Sequence, residues 1–112
     1  MPDTITGRIS AQVRFEEPMD VGIFRRDIER SGIKCGADSI APLSSGNLAD
    51  PYTRGFGMPH QAFAKRQEFD MRAESIAECI WKTFATARSI DVNFYPDNQD
   101  LNRWEKTIQR VA

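Results

Sequence analysis

Between residues 5 and 15 the chain alternates. Ile5, Ile9, Ala11, Val13 and Phe15 are interleaved with Thr6, Arg8, Ser10, Gln12 and Arg14, and only Gly7 breaks the apolar series. Side chains two residues apart share one face of an extended chain, so this pattern predicts a strand with one dry and one wet face. Gly7 is a candidate bulge position. A strand with one dry face folds only if something apolar covers that face, and the sequence supplies the cover immediately. Pro18 suits the first turn of a helix, and Val21, Phe24 and Ile28 follow at intervals of three and four. Gly32 is a natural left-handed stop, with Ile33 placed to pack back on the last turn, which predicts a helix over 18–31.

The second half of the chain repeats this logic. Pro59 opens a predicted long helix reaching residue 87 or 88, with Phe69, Ala73, Ile76, Ala77, Ile80 and Phe84 as its apolar stripe and Trp81 beside it. Ile90, Val92 and Phe94 alternate with Asp91 and Asn93, giving a second strand that Pro96 stops. Leu101, Trp104, Ile108 and Val111 then fall at helical spacing behind Asp97 as an N-cap, which predicts a C-terminal helix. The stretch 34–58, with Gly36, Gly46, Gly55 and Gly57, reads either as a glycine-rich binding loop or as a short hairpin turning at Ser44-Ser45-Gly46-Asn47. The expected fold is therefore a single α+β domain over 1–112, a small sheet with three helices. With the hairpin, the order is the ferredoxin-like βαββαβ plus a C-terminal helix. Without it, two strands are too few to stand alone. The scarcity of strands and the broad stripe of the long helix together imply apolar surface that one chain does not cover, so a homodimer is expected.

Composition removes several function classes. Fifteen basic residues against sixteen acidic ones leave a formal charge of −1, which gives no bulk attraction for phosphate. No apolar run approaches the ~20 residues that span a bilayer. The opening Met1-Pro2-Asp3-Thr4 lacks the basic and apolar regions of a secretion signal, so a cytoplasmic location is expected. Cys35 and Cys79, the only cysteines, form no CxxC pair, and with His60, the only histidine, they fall at no metal-ligand spacing. A thiol–imidazole dyad of Cys35 and His60 is conceivable only if the fold joins them. Asp70, Glu74 and Glu78, one helical turn apart, read as a solvated helix face with Arg72 and Lys82 interleaved. No cofactor and no metal are expected.

One string stands out. Arg54-Gly55-Phe56-Gly57 resembles the first half of the ribonucleoprotein octamer of RNA-recognition domains, a basic residue followed by Gly, an aromatic and Gly. The resemblance implies bases stacked on sheet aromatics, with Arg54 and Phe56 as RNA contacts. Met58-Pro59-His60-Gln61 replaces the second half of that motif. The same segment, with Tyr52, Arg54, Phe56 and Met58, also has the aromatic-plus-arginine make-up of a protein-binding loop, and Trp81, beside the stripe of the long helix, is a further expected contact where that helix packs against another chain. The reading that follows is a small, non-catalytic protein that binds a macromolecular partner as an inhibitor or adaptor, of the antitoxin or phage anti-defence type. An RNA-binding module using Arg54 and Phe56 and a small thiol enzyme stand as alternatives.

Overall fold

A computed structural model describes residues 3–33 and 50–111 of the chain. The first strand, β1 (Ile5–Phe15), buries its odd-numbered residues from Gly7 to Phe15, half-buries Ile5, and leaves the even-numbered ones exposed or half-buried, as the alternation requires. Helix α1 (Val21–Arg30) starts at Asp20, whose carboxylate accepts the Ile23 N–H at 3.0 Å. It buries Phe24 and Ile28 and ends at Ser31 and Gly32, the latter at φ +89°, with Ile33 packed on the core.

Strand β2 (Thr53–Phe63) runs antiparallel to β1, and helix α2 (Arg66–Thr83) follows it. Strand β3 (Ala87–Pro96) pairs with the other side of β1, and β4 (Trp104–Gln109) pairs with β3. The sheet order is β2-β1-β3-β4 and every neighbouring pair is antiparallel. β2 and β3 are consequently parallel to each other across β1, and α2 carries the chain from one to the other. Both helices contribute to a core built on the sheet face that holds Ile9, Val13, Met58, Ile90, Val92 and Phe94. From α2 come Phe69, Ala73, Ile76, Ala77 and Ile80, all buried. Phe24 lies 5.3 Å from Phe84 and 5.9 Å from Phe15 between ring centroids, so α1 joins the same aromatic cluster.

Three expectations are corrected. There are two helices in the described residues, not three: residues 104–109 form β4. Trp104 and Ile108 sit where a helical stripe and a strand face coincide. The pairing with β3 decides between them, placing Trp104, Lys106 and Ile108 toward the helices and leaving Leu101 and Val111 exposed at 42% and 90%. Second, the order is not clearly ferredoxin-like. One described strand, not a hairpin, lies between α1 and α2, and a hairpin follows α2; the rest of the proposed hairpin, at 34–49, lies outside the described residues. Third, Pro59 does not open α2, which starts at Arg66. It lies inside β2, where Pro59 and His60 together oppose Arg8 as a bulge, with His60 at φ +57°. β2 is an end strand of the described sheet, so a residue without an N–H is tolerated there. Position 7, beside this bulge, requires glycine, because a Cβ there would collide with the Tyr95 carbonyl oxygen and meet the Phe94 ring edge at 2.9 Å.

The outward strand of the hairpin is locked at its end. Arg110 Nη1 donates to the carbonyls of Phe84, Ala85 and Ala87 at 3.1, 3.0 and 3.3 Å. These carbonyls lie in the turn from α2 into β3, just past the helix C-terminus, where a cation is favoured.

Candidate binding face

The polar half of the alternation forms the second face of the sheet, opposite the helices. The strand register fixes its rows. Arg8 stands opposite Tyr95. Ser10 stands opposite Asn93 and then Glu105, Gln12 opposite Asp91 and then Thr107, and Arg14 opposite Ser89 and then Gln109. From the Arg8 row to the Arg14 row is six residues of strand, about 20 Å at ~3.3 Å per residue. The rows are tied sideways: Arg8 Cζ lies 5.7 Å from the Tyr95 ring centroid, and Thr107 Oγ1 donates to Asp91 Oδ1 at 2.6 Å. Arg103 Nη2 reaches Glu105 Oε2 at 3.4 Å. A shallow depression of about 310 Å³ lies among Gln12, Asp91, Asn93, Tyr95 and Arg103. These side chains are carried by paired strands, so their positions are set by the backbone ladder and not by loop closure. The arrangement offers donors, acceptors, one aromatic ring and charges of both signs at fixed spacing.

At the Arg14 end of this face a wider cleft, about 460 Å³, opens between Arg14, Tyr52, Asp50 and Arg88. Asp50 is held below the ordinary carboxylate range. The Tyr52 N–H donates to Oδ1 at 2.9 Å and the Thr53 hydroxyl to Oδ2 at 2.9 Å, with the Arg14 and Arg54 guanidiniums adding to the effect and burial opposing it. Arg88 faces Glu16 at 3.7 Å across the rim.

The residues singled out in the sequence do not form one surface. Tyr52, 43% exposed, stands in the cleft. Arg54 turns inward: Nε donates to the Met19 carbonyl at 2.8 Å, and Nη1 to the carbonyls of Asp50 and Thr53 at 3.2 and 2.9 Å. It ties the start of β2 to the approach of α1. Phe56 and Met58 are core residues, 2% and 1% exposed, with Phe56 6.3 Å from Phe24. Trp81 packs half-buried against the core on α2, under the Arg110 guanidinium at 5.7 Å. Arg54, Phe56 and Met58 are alternate residues of one strand, and alternate residues point the same way; here that way is toward the helices.

His60 is exposed in the bulge and Cys79 half-buried on α2, while Cys35 lies outside the described residues. Among the described residues no group of three or more His, Cys, Asp or Glu side chains could hold a metal ion. The acidic turn-spaced residues of α2 have basic neighbours: Asp70 meets Arg66 at 3.0 Å and Glu74 meets Lys106 at 3.7 Å. No described helix is long and apolar enough to cross a membrane.

The residues that sequence reasoning missed are Arg8, Gln12, Asn93 and Tyr95. Their signal was the polar half of each alternation, which any strand with one solvated face displays. No family model matches the chain, and neither a curated protein nor a solved structure matches it.

Proposed function

We propose that this protein is a small non-catalytic binding module that covers a surface of a protein partner, as an inhibitor or adaptor does, and that the sheet face bearing Arg8, Gln12, Asn93 and Tyr95 is its contact surface. One observation carries the reading. On three adjacent strands every side chain of that face is polar or charged apart from the Tyr95 ring, and the Arg8–Tyr95 stack lies among them. Arg and Tyr are the residue types that dominate interface energetics, and a strand scaffold holds them without the ordering cost of a loop.

A protein partner fits this face better than RNA. Unpaired bases are gripped by two or three sheet aromatics, and the face carries Tyr95 with the carboxylates of Asp91 and Glu105 nearby. Arg54 and Phe56, the motif-like pair, are committed to the hydrogen bonds and core described above. The homodimer loses its two grounds. The sheet has four described strands, and the stripe of α2 is buried in its own core. The exposed large apolar residues described are Ile23, Tyr52, Met71, Leu101 and Val111, distributed over different parts of the chain. We therefore read the chain as acting as a monomer.

The test is affinity capture from the source cell with the wild-type chain and with Asn93→Arg, which inserts bulk and charge into the middle row. Asn93 is half-buried on the polar face, so the fold tolerates the change, and circular dichroism and a melting curve check this. A partner held by the wild type and weakened at least about tenfold by Asn93→Arg supports the reading. A partner whose affinity is unchanged by Asn93→Arg but lost with Tyr52→Ala moves the site to the cleft and overturns it. Retention on RNA or heparin that falls with salt returns the alternative.

A further inference from the structure

We propose that the outer edge of β4 is a pairing surface for a second copy of this chain, and that Arg66 holds it shut. The proposal is independent of the open-face reading. The ladder sets which backbone groups of β4 face outward. Arg110 N–H donates to the Arg88 carbonyl at 2.8 Å, continuing the register in which Ile108 opposes Ile90 and Lys106 opposes Val92. Residues whose backbone groups point toward the partner strand alternate with residues whose groups point away. Trp104, Lys106 and Ile108 thus bond to β3, and Glu105, Thr107 and Gln109 direct their N–H and C=O groups outward. An independent contact agrees: the Glu105 carbonyl accepts from Arg66 Nη2 at 2.7 Å, from outside the sheet.

That contact is built, not incidental. Arg66 Nε is fixed by Asp70 Oδ1 at 3.0 Å, and the guanidinium lies over the rings of Phe69 and Trp104, at 5.4 and 6.0 Å from their centroids. A charged group parked on an outward carbonyl is a recognised way of blunting a strand edge. The other end strand is blunted differently, by Pro59 and the bulge at His60.

With the pairing centred on residue 106, 107 or 108, so that most of β4 is used, a second copy fits the edge in one register. Antiparallel self-pairing must set outward residues against outward residues. With Thr107 on the two-fold axis, Glu105 faces the second copy's Gln109 and Lys106 faces its Ile108, so no like charges meet. Shifting one way places Lys106 against its own copy, and shifting the other way sets Lys106 against the second copy's Arg110. Like charges directly opposite each other are destabilising.

Light scattering across a concentration series tests this. The wild type is expected to be monomeric. Arg66→Met keeps an aliphatic stem over Trp104, removes the guanidinium, and is expected to dimerise at least tenfold more tightly than the wild type. Arg66→Lys, which cannot reach Asp70 and the Glu105 carbonyl together, is expected to move in the same direction by less, and serves if the methionine variant melts early. Adding Thr107→Pro deletes an outward N–H that the chain's own ladder does not use, and should return the Arg66 variant to monomer. Folded Arg66 variants that both stay monomeric overturn the proposal. So does association that survives Thr107→Pro, or a wild type that is already a dimer.

Discussion

The two faces of the sheet are made by the same strands and obey opposite rules. On the helix side Ile9, Val13, Val92 and Phe94 are fully enclosed, and each touches residues distant in sequence. On the other side Arg8, Gln12, Asp91 and Asn93 touch their strand neighbours and solvent. The first face carries the free energy of folding, because burial of apolar area is its main source. The second contributes little to folding, since surface substitutions usually stay within about 0.5 kcal/mol, and is therefore free to vary for binding. A chain built in this way separates stability from recognition, and substitutions should divide along the same line.

The largest effect belongs to the helix side. Phe69 is fully buried and its ring meets Phe63, Phe94 and Trp104 at centroid distances of 5.9, 6.2 and 5.8 Å. Phe69→Ala should cost about 3–5 kcal/mol in urea unfolding, while partner affinity of the folded fraction stays as in the wild type. A loss below ~1 kcal/mol would mean that α2 is not seated on the sheet as described. Arg54→Ala comes next. It leaves the Met19 carbonyl without its donor in a half-buried position, so a loss of about 1–3 kcal/mol is expected. Its affinity for a partner should be unchanged. A variant with full stability and no binding would transfer Arg54 from the framework to the contact surface and break the division between the faces.

How much of this was legible in the sequence depends on whether local pattern and tertiary pairing agree. β1 was legible because its alternation runs through Phe15 and admits one interpretation, and β3 was legible at Ile90–Phe94, where five residues alternate; its start at Ala87 was not, since the apolar stripe predicts a helix to 87 or 88 and α2 ends at Thr83. α1 was legible through Phe24, Ile28 and Gly32, an apolar pair one turn apart with a left-handed stop. β4 was not, because Trp104 and Ile108 satisfy both periods and the deciding factor, a free edge on β3, is non-local. β2 was hidden by Pro59, which reads as a helix opener until an end strand with a bulge is known to be available. That error carried into the candidate site. Taken as a loop, Arg54, Phe56 and Met58 look like contact residues; taken as alternate positions of a strand, they are its inward side. The polar face was visible as a pattern but carried no specificity, since only the register shows that its residues from different strands stand side by side.

The smallest effect sharpens the boundary between the faces, where Asp50 sits. Its carboxylate accepts from the Tyr52 N–H and the Thr53 hydroxyl and lies near Arg14 and Arg54, so the folded state holds the charged form more firmly than the unfolded chain does. The unfolded carboxyl titrates near 3.8 and the folded one below it. A group whose pKa is depressed on folding contributes its full stability above the unfolded value and loses it as pH falls through the folded one. Asp50→Asn keeps the shape of the turn but removes the charge. The wild type should therefore be the more stable of the two at pH 6, and the gap should close as pH drops below about 3.8, measured by urea midpoints at each pH. The gap should also be small, because the carboxylate is close to solvent and screened. Salt should shrink the part due to Arg14 and Arg54 and spare the part due to the two hydrogen bonds. If the gap instead widened toward acid, Asp50 would be holding a proton in the fold, and the turn joining the cleft to β2 would be organised by something other than its charge.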